Sequence, residues 1–297
     1  MHAEIVGSDR PRVERLPLWL TIKQAYGSYL SHFPDVLRAT APWLVMAPLA
    51  TGGVIGLQVA MLPAMLAGAA KGGTPIAAML LAYGSHIVLD VALVSIAVAW
   101  HRHIIIGERP APFDVHLATG RFWRYVGICL ALFCISFVMM SVLAVPLFAA
   151  GSVMKLQLRL GFDAVVIIGV VVAAMSIAIG ATCRLLPLLP AQAIDDRTLT
   201  FRKVWQRTRG STWRLFWGTL ACSALPVLPT EIAAYIVVGS LTPGNLFGPA
   251  SATLIIVTAI STACRVLTMP ILAGFLSYAY RHFFGRPSLA GDQARIH

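Results

Sequence analysis

The chain has 297 residues, 58% of them hydrophobic and only 12% charged, with a mean hydropathy of +0.78. A soluble domain carries about 25% charged residues, so a water-soluble globular fold is excluded. The net charge of +11 is concentrated at the ends of apolar segments, which fits membrane orientation and anionic lipid head groups and leaves no role for nucleic acid.

Residues 1–19 lack the apolar stretch of about 7–15 residues that a secretory signal needs, and they read as a short cytoplasmic tail. Residues 20–281 read as one all-α, polytopic transmembrane domain of about six helices, and 282–297 as a second tail. From Leu20 to Phe33, residues Ile22, Ala25, Tyr26, Tyr29, Leu30 and Phe33 share one helical face. Lys23, Gln24, Ser28 and His32 share the other. This spacing predicts an amphipathic helix lying in the interface and interrupted by Pro34.

Span 1 covers about 41–66, with Trp43 at its mouth and Gly52 and Gly56 as a small-residue pair that lets a neighbouring helix approach closely. Residues 71–75 are a turn. Span 2 covers about 76–100 and ends in the run WHRHIIIGERP. His101 and His103 in that run point apart on a helix and are expected to be interface residues rather than metal ligands. A shorter basic segment, FDVHLATGRFWR, leads into span 3 at 125–150. A loop over 151–163 and span 4 at about 164–186 follow.

Next comes the run LPAQAIDDRTLTFRKVWQRTRGSTWRLFWG, residues 189–218. Phe201, Val204, Trp205 and Thr208 line one helical face, and Arg202, Lys203, Gln206, Arg207 and Arg209 lie on or near the other. Asp195 and Asp196 precede this basic amphipathic helix and Gly210 follows it, in keeping with the helix dipole. Span 5 covers about 213–241 and is expected to break at Pro226 and Pro229. A tight loop over 242–249 leads to span 6 at about 250–280.

Arg102, Arg184 and Arg265 recur near spans 2, 4 and 6 at spacings of 82 and 81 residues, and Trp43, Trp123 and Trp213 precede spans 1, 3 and 5. Regular spacing marks a repeat, so three tandem hairpins are expected, at 20–105, 111–195 and 196–281. The 189–218 run also resembles the linker in the membrane domain of membrane-anchored glycerophosphodiester phosphodiesterases and related bacterial membrane proteins. Pro190, Trp205, Arg209-Gly210 and the aromatic stretch Trp213–Trp217 carry the resemblance. In that family catalysis belongs to a separate soluble domain, so the resemblance implies a fold and a bacterial inner-membrane location, not an activity. Nineteen of the 23 Lys and Arg residues fall on one side of the six spans, which puts both termini in the cytoplasm.

The intramembrane polar candidates are His86, Asp90, Glu231 and Arg265. A carboxylate at mid-bilayer costs about 2.5–3.5 kcal/mol and needs a partner. Arg265 is the expected partner of Asp90, with His86 one turn earlier on the same face. Glu231 lies behind Pro226 and Pro229 and is expected at a helix break or in the outer half of span 5. Arg102, Arg184 and Arg265 would make a phosphate or head-group site if they converged. The five cysteines form no CxxC and have no histidine at ligand spacing, so no disulfide framework, metal or cofactor is expected. HExxH, GxSxG and the phosphate-loop motif are absent, and no SxxK comes with its partner motifs. The expected role is therefore non-catalytic binding or scaffolding in the bilayer, with anionic lipid as a candidate ligand. A small ion- or proton-coupled transporter using Asp90 and Glu231 is the alternative, and an intramembrane enzyme is the weakest reading.

Overall fold

A computed structural model describes residues 15–70, 76–111, 119–154, 169, 175–239 and 249–285. It is all-α, with no strand among the described residues. Helix α1 spans Leu18–Ser31, α2 Phe33–Ala70, α3 Ile76–Ile106 and α4 Gly120–Met154. Residues 175–183 are the described end of α5. Then come α6 (Leu188–Ala193), α7 (Phe201–Arg207), α8 (Thr212–Gly239) and α9 (Pro249–Phe284).

Five of these helices, α2, α3, α4, α8 and α9, are long and apolar enough to cross a membrane. Their outward faces carry large apolar side chains such as Phe133, Phe137, Leu225 and Ile236, all exposed on the bare protein. Apolar surface this continuous is covered by lipid rather than water. The chain is a multi-pass helical membrane protein. Residues 164–168 and 170–174 of the expected fourth span lie outside the described residues, as do the turn at 71–75, most of the loop at 151–163 and most of the 242–249 loop. Residues 151–154, expected in that loop, are the last turn of α4.

Helix α9 is the member on which the others are assembled, packing against α1, α2, α3, α6 and α8. Small residues make this possible, because van der Waals contact between helices needs close backbones where no water is available to drive association. The fully buried ring of Phe275 rests on the backbone of Gly218, and a Cβ at 218 would come within 2.0 Å of its Cζ. Gly274 faces α1, where a Cβ would meet Ala25 Cα and Ser28 Oγ at 3.7 Å. Gly52 and Gly56 both face Ile255 of α9.

Several expectations need correction. Helix α1 is held by Thr21, Ala25 and Ser28, its buried residues, while Leu30 is exposed. Small side chains at the Gly274 contact outweigh the wider apolar stripe. Trp43 is 4% exposed and packs with Ala47, Leu89 and Val266, whereas Trp123 and Trp213 are 61% and 56% exposed, so the three tryptophans do not share one environment. Helix α8 runs unbroken through Pro226 and Pro229. In a bilayer a broken helix leaves backbone groups without water, so the chain keeps the remaining i→i−4 bonds and absorbs the prolines. Glu231 consequently sits in mid-helix, not at a break.

The Gly218 contact gives a direct test. Gly218→Ala is expected to lower stability by roughly 1–3 kcal/mol, since the added methyl must displace a packed ring. Gly53→Ala, where no atom lies within 4 Å, should cost nothing. Thermal melts of both variants in the same detergent check this.

Candidate functional site

The ends of α3 and α9, the starts of α4 and α8, and all of α6 and α7 meet at one end of the bundle, here termed the basic end. The chain tightens there because Gly210, at φ 85°, adopts a backbone conformation that ends α7 and turns it into α8. Thr200 caps the start of α7, its hydroxyl accepting from the Lys203 N–H at 3.4 Å. Val204 and Thr208 form the buried face of α7; Phe201 and Trp205 stay part-exposed, and Arg202, Lys203 and Arg207 point outward.

Two adjacent carboxylates hold this end together. Asp195, at φ 61°, turns its carboxylate toward the start of α4, where Arg121 Nε lies 2.8 Å from Oδ2 and Arg124 pairs with Oδ1. Asp196 accepts from Tyr280 Oη at 2.6 Å, Thr198 Oγ1 at 2.7 Å and Thr198 N at 3.0 Å. Burial alone would raise the Asp196 carboxyl, but the bonds from Tyr280 and Thr198 outweigh it and hold it below the usual carboxylate range. Both residues thus act as tethers from the α6–α7 connection to α4 and α9, a larger role than the helix-dipole one expected from their position.

Three further arginines bond backbone carbonyls. Arg102 donates to Ala193 O at 3.2 Å and pairs with Glu108. Arg214 donates to Leu16 O at 2.7 Å, and Leu16 N returns a bond to Ser211 Oγ at 3.2 Å. Arg184 lies flat over the Trp205 ring, 3.7 Å from its centroid, and donates to the Trp205 carbonyl. Beneath this layer His101, expected at the interface, is fully buried. Its Nδ1 lies 2.8 Å from Ser277 Oγ and its Nε2 3.2 Å from Tyr125 Oη. Ser277 already donates to Ala273 O at 2.8 Å, so Nδ1 is the donor and Nε2 accepts from Tyr125. Both ring nitrogens are occupied, which makes His101 a satisfied core residue and leaves no lone pair for a metal. No cluster of three or more His, Cys, Asp or Glu among the described residues could hold one.

No family model matches this chain, and no curated protein or solved structure does. What the site can do must therefore be read from its residues.

The mid-membrane residues are arranged differently from expectation. Arg265 does not pair with Asp90. Its Nη2 and Nε lie 2.8 and 2.9 Å from Glu231 Oε1, which also accepts from Ser261 Oγ at 2.7 Å. The reason is helix rotation: Leu89 packs onto Val266 of α9, and Asp90, one residue further round α3, is turned away and exposed. The charge that acts on Asp90 is that of His86, one turn earlier and also exposed. Nor do the three arginines converge. Tyr280, bonded to Asp196, marks the level of the basic end, and Arg265 lies 15 residues before it, about 22 Å along a helix. Arg102 and Arg184 share the basic end but contact different partners. Sequence reasoning missed Tyr125, Ser211, Ser277 and Tyr280; the one signal available was that Asp195 and Asp196 are the sole acids in a strongly basic stretch.

The Asp196 tether makes stability depend on pH. Because the folded-state carboxyl titrates below its unfolded value of about 3.9, its contribution is complete above that pH and is lost as pH falls through the lower folded value. Melting temperature in detergent should therefore drop between pH 5 and pH 3, and Asp196→Asn should flatten that drop while lowering stability at pH 7. A variant with the wild-type pH profile would remove Asp196 from this role.

Proposed function

We propose that this is a non-catalytic protein of the bacterial inner membrane, with both termini in the cytoplasm, whose basic end is a docking platform on the cytoplasmic leaflet. Its partner there is anionic lipid, through which it serves a scaffold or accessory role. The observation that carries this reading is the imbalance of charge at the basic end. The described acids there, Glu108, Asp195 and Asp196, are each engaged by an arginine or by hydroxyl groups. Arg197, Arg202, Lys203, Arg207 and Arg209 remain exposed beside the exposed rings of Phe201, Trp205, Trp213 and Trp217. Cations set among aromatic rings at the end of apolar spans match the interfacial zone of a bilayer, where each basic residue near an anionic surface contributes about 1 kcal/mol. The side of the membrane follows from the Lys and Arg asymmetry, and the similarity of residues 189–218 to the phosphodiesterase membrane domain agrees with a membrane role without catalysis.

The platform is tested by reconstitution into nanodiscs of mixed phosphatidylglycerol and phosphatidylcholine. Wild-type discs are expected to retain phosphatidylglycerol above the input ratio. Replacing Arg197, Arg202 and Lys203 together by Gln should bring the ratio back toward the input. Equal enrichment in both proteins overturns the reading.

One observation favours a second reading, a small ion- or proton-coupled transporter. The Glu231–Arg265 pair joins two of the membrane-crossing helices with side chains 37% and 43% exposed, α8 carries two prolines, and Asp90 and His86 lie exposed on α3. Intramembrane charges of this kind accompany ion and proton paths. In liposomes containing a pH-sensitive dye, transport requires a proton-linked flux that Asp90→Asn abolishes while the melting temperature is kept. A variant that inserts and melts normally with an unchanged flux, or one that fails to insert, sinks this alternative.

A further inference from the structure

One cavity at the basic end is built unlike the rest of it. About 470 Å³ in volume, it opens between α5, Trp205 and the start of α8. One wall is apolar, with Ile177 and Gly180 of α5 facing Trp213 of α8. The backbones stand close there, since a Cβ at Gly180 would meet Thr212 Cγ2 at 3.4 Å. Arg184, one turn on from Gly180, and Arg214, next to Trp213, also line it. No acidic residue is among the described lining, and Arg209 is near enough for its positive charge to act on Arg184. Arg184 is held by Trp205 alone among the described contacts, its guanidinium carbon over the ring and one Nη bonded to the Trp205 carbonyl. Its Nε is buried and has no hydrogen-bond partner. Arg214 spends one Nη on Leu16 O, which leaves its other N–H groups for a ligand.

Two arginines lining one cavity with no acidic residue in its described lining make a site for an anion with several acceptor oxygens, and the planar fork of arginine matches phosphate. Arg209 already repels Arg184, and an anion beside the Arg184 guanidinium offsets that repulsion. The apolar wall specifies the rest of the occupant. Ile177 is 65% exposed and continues onto the outer surface of the bundle, so whatever fills the cavity has an apolar tail as well as an anionic head. Trp213, at the first turn of α8, sets the depth at the level where tryptophan meets head groups.

We propose that this cavity is a single-molecule site for an anionic phospholipid, with the phosphate between Arg184 and Arg214 and one acyl chain laid along Ile177, Gly180 and Trp213. The inference rests on the lipid-platform reading but locates one specific site, separate from the diffuse cations of α7. The volume holds a head group and the start of a chain, so the remainder of the lipid lies in the bilayer.

The test is native mass spectrometry of the full chain in detergent, titrated with phosphatidylglycerol, with phosphatidylcholine and with inorganic phosphate. Wild-type protein is expected to bind a first phosphatidylglycerol at least ten-fold more tightly than later ones. Phosphatidylcholine should show no such step, and inorganic phosphate should not displace the lipid. Arg184→Gln combined with Arg214→Gln should abolish the step. Since Arg214 also tethers Leu16, Ile177→Trp serves as a second variant that blocks the apolar wall and leaves both arginines in place; it too should abolish the step. The Arg197, Arg202 and Lys203 triple variant should keep it, which separates loss of this site from loss of the wider platform. An undiminished first step in Ile177→Trp overturns the proposal, and so does displacement by inorganic phosphate, which would mark a site for a free anion.

Discussion

At Gly218 of α8 and Gly274 of α9 a bare glycine backbone receives its neighbour directly, and the packing of α9 against α8 and α1 depends on those two contacts. The ring of Phe275 fills the space above Gly218, and the backbone of α1 lies against Gly274. In water a hydrophobic stripe would bring these elements together, but in hydrocarbon the lipid chains are as apolar as leucine and only close packing and polar bonds distinguish a partner helix from solvent. The helix most rich in small buried residues has therefore become the hub, with Ala273, Gly274, Ser277 and Ala279 along its packed face.

Polar bonds add to that packing at two depths and in two ways. At the basic end they form a shared layer in which Asp195 and Asp196 link the α6–α7 connection to α4 and α9, and arginines close off backbone carbonyls that no helix can use. Each group there lies near the water, so no single bond carries a large desolvation cost. Deeper down, Glu231, Arg265 and Ser261 form an isolated cluster in which one oxygen accepts three bonds. An unpaired charge within a membrane-crossing helix is expensive, and the pair binds α8 to α9.

The class of the fold was legible from composition alone, and so were the helix boundaries to within several residues at most ends. The break at Pro34 and the end of α7 at Gly210 were legible because proline and glycine act through local backbone geometry. Rotation about the helix axis was not legible. A helix that is apolar all round carries no sign of which side faces a neighbour, so nothing in the pattern told that Leu89 rather than Asp90 meets α9, or that Arg265 finds Glu231. The same gap hid the buried state of Trp43 and His101, whose environments are made by Val266 and Ser277, far off in sequence. For α1 the pattern was partly legible: Ile22, Ala25, Tyr26 and Tyr29 of the expected apolar face do pack on the core, but Leu30 and Phe33 are exposed and Ser28 of the other face is buried against Gly274 of α9. The candidate lipid cavity was half visible: Arg184 was recognisable as a head-group residue, but its companion Arg214 emerges only when α5 and α8 stand side by side.

The contact between α1 and α9 also bears on the order in which the protein is made. The first helix of the chain rests on the last, and Leu16 is fixed by Ser211 and Arg214, partners 195 and 198 residues away. At a synthesis rate of about 5–20 residues per second, α1 waits roughly 10 to 50 s on the membrane before the surface that receives it exists. Throughout that interval its small-residue face is uncovered, and the nascent chain is open to misassembly or to capture by insertion factors. A chain stopped before α9 would leave α1, α2, α3, α6 and α8 without the element they pack on.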